Sequence, residues 1–305
     1  MSRIHEALKR AEQERAARVD GQRDSSFAEP TSILQEMPSS AEPVDYRSAL
    51  VAGSSLADGD ALLANCAKMD WNPDPSIMLF MSGNDAARGT EEYRTLRSRL
   101  YHLREKANLK SLLVTSALPK EGKSFTAANL AQVLVRQHGR RVLLIDADLR
   151  RPRLHVMMGT SSAPGLSDYL LGKSDEFAIV QRGQLENLFF IPGGSAIENP
   201  AELVGNGRLK ALLDRLGHLF DWIVVDSPPA VPVSDASVLA KACDGVLLVV
   251  RSNSTPADVA RRARQEFPEE SLVGIVLNGT SDEAVPYERY YYETYAKKEA
   301  AKPQG

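Results

Sequence analysis

Ser111 to Phe125 reads SLLVTSALPKEGKSF, and this stretch decides the fold. SLLVTSA is a short apolar run closed by a turn containing Pro119, the pattern of a strand buried on both faces. SFTAANLAQVLVRQH beyond it has the composition and length of a helix. Between them, Ala117-Leu118-Pro119-Lys120-Glu121-Gly122-Lys123-Ser124 is a variant of the phosphate-binding loop in which Ala117 replaces the usual first glycine. Strand, loop and helix in this order bring backbone N–H groups and the positive end of the helix onto phosphates. Lys123 then reaches the β- and γ-phosphates, and the Ser124 hydroxyl ligates Mg²⁺. An alanine at position 117 is acceptable if that position needs no positive φ.

Two further strands end in carboxylates. In RVLLIDADLRRP the apolar run stops at Asp146 and Asp148, which strand alternation puts on one side. WIVVD ends at Asp226, followed by Ser227-Pro228-Pro229. Carboxylates at the carboxyl ends of parallel strands lie where open α/β sheets bind ligands, so three of them beside the loop predict a Mg²⁺–nucleotide site. NLFFIP, GVLLVV and LVGIVLN supply more strands, alternating with helical stretches. The expected fold is α/β, a P-loop NTPase with a mostly parallel sheet flanked by helices and preceded by a flexible N-terminal region. The segment 90–106 predicts a helix with Thr90 as N-cap and Leu96, Leu100 and Leu103 on one face.

With 305 residues, of which 43% are hydrophobic and 25% charged, the chain can bury one sizeable core. A formal charge of −3 gives no overall reason to expect nucleic acid as a partner. The two cysteines, Cys66 and Cys243, have no metal-ligand spacing and fit a reducing cytosol. No window reaches the roughly 18 apolar residues of a membrane span. The expected organisation is an N-terminal amphipathic helix over 1–20, a mobile linker over 21–78, a P-loop domain over 79–284, and a flexible tyrosine-rich tail over 285–305. Within the linker, Leu56 to Met69 has the pattern of a short helix.

On these motifs the sequence resembles the bacterial tyrosine kinases of capsule and exopolysaccharide biosynthesis, relatives of MinD- and ParA-type P-loop ATPases. Their loop reads Pro-Gly-Glu-Gly-Lys-Ser; Pro119, Glu121, Gly122, Lys123 and Ser124 match, with Lys120 in the glycine's place. Leu144 to Pro152 and Ile223 to Pro229 match the second and third motifs. Gly165 to Leu170, Asn199 to Leu203, and Ser234-Asp235-Ala236 match weaker signatures. The signature lysine of MinD relatives falls at Leu118, and Lys120 is not its equivalent.

The resemblance implies an ATP- and Mg²⁺-dependent protein-tyrosine kinase in which Lys123, Asp146, Asp148 and Asp226 carry the chemistry. Asp146 would accept the tyrosine proton, and Ser124, Asp148 and Asp226 would face Mg²⁺; geometry alone allows Asp146 and Asp148 to exchange roles. Pro119, Lys120, Glu121, Gly122, Lys123, Ser124, Phe125 and Asn278 would hold the nucleotide, Asn278 by reading the adenine. Arg150 or Arg151 would steady phosphate charge. Glu91, Arg94 and Arg97 match a Glu-x-x-Arg-x-x-Arg helix through which family members form rings.

Tyr287, Tyr290, Tyr291, Tyr292 and Tyr295 are interleaved with Glu288, Arg289, Glu293 and Lys297, too polar a setting for a core. They read as the autophosphorylation substrate of a neighbouring subunit, each phosphate adding about −1.5 to −2 charge and loosening the ring. The resemblance further implies a membrane-spanning polysaccharide co-polymerase as adaptor, and a cytoplasmic protein held at the inner membrane through it. A MinD-like ATPase switch and a non-catalytic nucleotide-binding subunit are the alternatives.

Overall fold

The computed structural model describes residues 63, 66–80, 89–137 and 139–280. The helix expected over 1–20 and the tail over 285–305 lie outside the described residues, as does most of the expected linker.

Eight strands form one sheet: β1 (Ala67–Lys68), β2 (Ser111–Ser116), β3 (Val142–Asp146), β4 (Gln181–Arg182), β5 (Leu188–Ile191), β6 (Trp222–Asp226), β7 (Gly245–Arg251) and β8 (Leu272–Asn278). Their order is β1-β4-β5-β3-β6-β2-β7-β8, and every pairing is parallel except β4 with β5. Strands β2, β3, β5 and β6 are buried along their whole length, which is why they read as unbroken apolar runs. The chain leaves β2 for β3 on one side, while β7 lies on the other. The loop after β2 therefore opens at a topological switch point, where α/β sheets hold ligands.

Each face of the sheet carries its own core. On one, α1 (Thr90–Arg104) and α2 (Lys123–Val135) lie over Leu112, Val114, Leu144 and Val224. On the other, α7 (Arg208–Leu216) turns Leu209, Leu212, Leu213 and Leu216 onto Leu113, Leu143 and Ile223. Shorter helices α3 (Leu154–Met158), α4 (Leu166–Leu170), α5 (Glu176–Ile179), α6 (Pro200–Val204) and α8 (Asp235–Ala240), and the longer α9 (Ala257–Gln265), fill the connections.

Two expectations need correction. Helix α1 is capped by Gly89 at φ 94°, which leaves Thr90 as a buried first residue. Its inward residues are Thr90, Tyr93 and Leu100, with Leu96 partly buried and Leu103 37% exposed.

The larger correction concerns the linker, which does not extend to residue 78. Ala67–Lys68 is a strand paired with β4, not the end of a helix. Trp71 stands edge-on to Phe190, ring centroids 6.4 Å apart, and Met78 and Phe80 are fully buried. Two buried amides of α2 hold the same segment. Asn129 accepts from Leu79 N at 2.9 Å and donates to Ile77 O at 2.9 Å, and Gln132 accepts from Phe80 N at 3.3 Å. Residues 66–80 are thus a strap lying on the core, each large apolar side chain contributing about 1.5–3 kcal/mol.

Candidate active site

Strand β2 ends at Ser116, the loop follows, and α2 begins at Lys123 behind Gly122 at φ 96°. No side chain caps α2 and its first turn has no acidic residue, so its positive end is available to an anion. Ala117 is buried and its φ is not positive, which explains why alanine serves there. Lys120 is different: its φ is 67°, the left-handed region. That is the physical reason for the family glycine, and a lysine there costs about 1–2 kcal/mol. Gly122 stands at φ 96°, where any side chain is strained, and a Cβ there would also lie 2.0 Å from Asn278 Nδ2 and displace that amide.

The three strand-end carboxylates converge on Lys123. Its Nζ lies 2.7 Å from Asp148 Oδ2, 3.9 Å from Asp226 Oδ1 and 3.2 Å from Ser124 Oγ. Ser124 Oγ donates to Asp226 Oδ2 at 2.6 Å. Asp146 and Asp226 are opposite each other in the β3–β6 register. Asp146 is fully buried: Oδ2 accepts from Arg153 N and Leu154 N, at 3.0 and 2.9 Å, and Oδ1 from Asp148 N at 3.2 Å. Asp146 is therefore the deep carboxylate and Asp148 the one beside Lys123. Sequence alone left these two exchangeable.

Burial raises the Asp146 carboxyl above the ordinary range, and the Asp226 charge adds to the effect. Burial also raises Asp226, with Lys123 and the Ser124 hydrogen bond offsetting part of it. For Lys123, burial pulls the ammonium down, but the charges of Asp226 and Asp148 outweigh it and hold it up. One ammonium stands against three carboxyl groups, and Asp226 Oδ1 is buried with no hydrogen-bond partner. A divalent cation fits both facts.

The remaining candidates are less uniform. Pro119 and Lys120 are exposed at the loop tip and Glu121 is buried beneath it. Phe125 turns its ring to Tyr93, 6.2 Å between centroids, and packs against the core on that face of the sheet. Asn278 Nδ2 donates to Glu121 O at 2.8 Å, so its amide holds the loop. Arg150 forms a two-pronged pair with Asp235, at 2.8 and 2.9 Å, and Arg151 is exposed. Glu91 pairs with Arg94 on the outer side of α1, but Arg97 donates to Val133 O at 3.1 Å and so belongs to the α1–α2 contact. Among the described residues no helix is long and apolar enough to cross a membrane.

Sequence reasoning missed Asn129 and Gln132, which no motif contains. It saw Asp235 only as a weak signature. Its role follows from the bidentate geometry with Arg150.

Known proteins match this architecture. Residues 120–257 match the AAA domain family. Tyrosine-protein kinase YwqD of Bacillus subtilis is 38% identical over 192 residues, covering 62% of this chain and 81% of that relative. Tyrosine-protein kinase wzc of Salmonella typhimurium is 31% identical over 219 residues, 71% of this chain but only 30% of that longer protein. The kinase domain of the Escherichia coli tyrosine kinase ETK superposes with a TM-score of 0.58 at 34% identity, covering 62% of this chain and 75% of that one. A relative 38% identical over four fifths of its own length shows the family, and this chain belongs to the bacterial tyrosine-protein kinases.

Proposed function

We propose that the chain transfers the γ-phosphate of ATP to the tyrosines of its own C-terminal segment, Tyr287, Tyr290, Tyr291, Tyr292 and Tyr295, in a neighbouring copy. The observation that carries the reading is the convergence of Lys123, Ser124, Asp146, Asp148 and Asp226 at the mouth of the phosphate loop. Lys123 and the α2 amides neutralise phosphate charge, and Ser124, Asp148 and Asp226 would hold Mg²⁺. The cation would supply further neutralisation of phosphate charge. Asp146 takes the proton of the attacking tyrosine as its oxygen bonds to phosphorus and ADP leaves. A carboxylate whose proton affinity burial has raised suits that part.

Glu91 and Arg94, on the outer side of α1, serve contacts between copies, with phosphorylation of the tail weakening the assembly by adding charge. A membrane co-polymerase acts as the adaptor, and the pathway served is polymerisation or export of a surface polysaccharide. Intact-mass analysis after incubation with ATP and Mg²⁺ tests the core of this reading. The parent gains phosphate, while Lys123→Met and the chain with all five tyrosines changed to Phe do not. No phosphate on the parent, even with the cytoplasmic segment of a candidate adaptor added, would leave a nucleotide switch or a regulatory subunit as the function.

A further inference from the structure

The phosphate loop is held from outside by groups that belong to none of its motifs. Glu121, 3% exposed, accepts from Leu118 N at 2.8 Å through Oε2, which closes the loop on itself. Its other oxygen, Oε1, accepts from Thr255 Oγ1, in the turn between β7 and α9. Thr255 Oγ1 in turn accepts from Arg251 N at 3.3 Å. Arg251, the last residue of β7, reaches across and donates from Nη1 to Lys120 O at 3.2 Å. The two carbonyls that flank the Lys120–Glu121 peptide pair are thus both occupied, one by Arg251 and the other by Asn278.

These contacts fall on the one loop residue whose backbone is unfavourable. Lys120 stands at φ 67°, and a left-handed non-glycine residue persists only where its surroundings over-determine it. We propose that Thr255 and Arg251 are positioning residues for the phosphate loop, holding the left-handed Lys120 conformation in which the loop amides face the phosphates. The work that glycine does by conformational freedom is done here by a turn after β7. Neither residue touches the reacting atoms; both act through Lys120 and Glu121.

The inference rests on the nucleotide reading above, and binding of Mg²⁺–ADP to the full chain separates the two. Thr255→Val weakens Mg²⁺–ADP binding about tenfold, as expected for one hydrogen bond to a charged group. The same change raises KM for ATP by a like factor and leaves KM for a tail peptide alone. Thr255→Ser, which keeps the hydroxyl, stays within about twofold of the parent, well inside the tenfold step. Arg251→Met weakens binding in the parent but has little effect in the Lys120→Gly chain, because glycine needs no holding. Parent-like binding by Thr255→Val, or an Arg251→Met effect of equal size in both backgrounds, overturns the inference alone. A parent that does not bind Mg²⁺–ADP overturns the nucleotide reading and the inference with it.

Discussion

Helices α1 and α2 lie side by side on one face of the sheet, similar in length at 15 and 13 residues, yet they differ in how they are buried. In α2 everything from Thr126 to Val135 is buried, whereas in α1 only Thr90, Tyr93 and Leu100 are. A helix enclosed on all sides can offer chemistry only at an end, and α2 offers Lys123 and Ser124 there. A helix that is mostly exposed can offer a face, and α1 turns Glu91 and Arg94 outward. Even the polar residues obey the division: Asn129 and Gln132 in α2 are spent on the strap, and Arg97 in α1 is spent on α2.

The largest effect expected from this contrast is in the middle of α2. Leu130→Ala should cost about 2–5 kcal/mol in denaturant unfolding. A cost comparable to that of Leu103→Ala on the half-exposed side of α1 would break the distinction. Next, Asn129→Ala should cost about 1–3 kcal/mol, since it leaves Leu79 N and Ile77 O unpaired under the strap. Protease sensitivity within 66–80 should rise with it. An unchanged cleavage pattern would mean the strap holds by apolar contact alone.

At the N-terminal end of α2 the contrast becomes electrostatic. The folded-state affinity of Asp226 for a proton is raised, so without nucleotide or Mg²⁺ the folded chain keeps a proton that the unfolded chain releases above about pH 4. Stability from this group is therefore lost as pH rises through its folded value. Asp226→Asn should lose less stability than the parent between about pH 4 and about pH 6 in thermal unfolding. A steeper loss in the variant would contradict the assignment.

Smaller still, Lys120→Gly should stabilise the chain by about 1 kcal/mol by relieving a left-handed lysine. No gain would show that the surrounding contacts already remove the strain. Finally, Arg94→Ala should leave stability within about 0.5 kcal/mol while weakening self-association in sedimentation. Intact assembly in that variant would remove the α1 face from the interface.

The centre of the fold was legible because strands buried on both faces must be written as continuous apolar runs, and β2, β3 and β6 are. The loop was legible because phosphate binding needs a fixed spacing of glycine, lysine and hydroxyl. The strap was not, since Trp71, Met78 and Phe80 dock as single side chains without period, and β1 and β4 are two residues each. The inward turn of Arg97 was hidden for a related reason: three-residue spacing gives a broad face, and only the position of α2 decides which part of it is covered. Lys120 could be read as a departure from a motif, but its backbone angle is a property of the loop in three dimensions.

The strap also governs where this domain can be divided. A chain started at residue 79 would keep every catalytic motif and still uncover Phe190, strip Met78 from beneath Gln132, and leave one hydrogen bond of Asn129 without a partner. Such a fragment would present an aromatic and amide-bearing seam to solvent, the kind of surface that favours clumping over catalysis. The functional module for expression, grafting or exchange between relatives therefore begins before Cys66, some fifty residues upstream of its most recognisable motif.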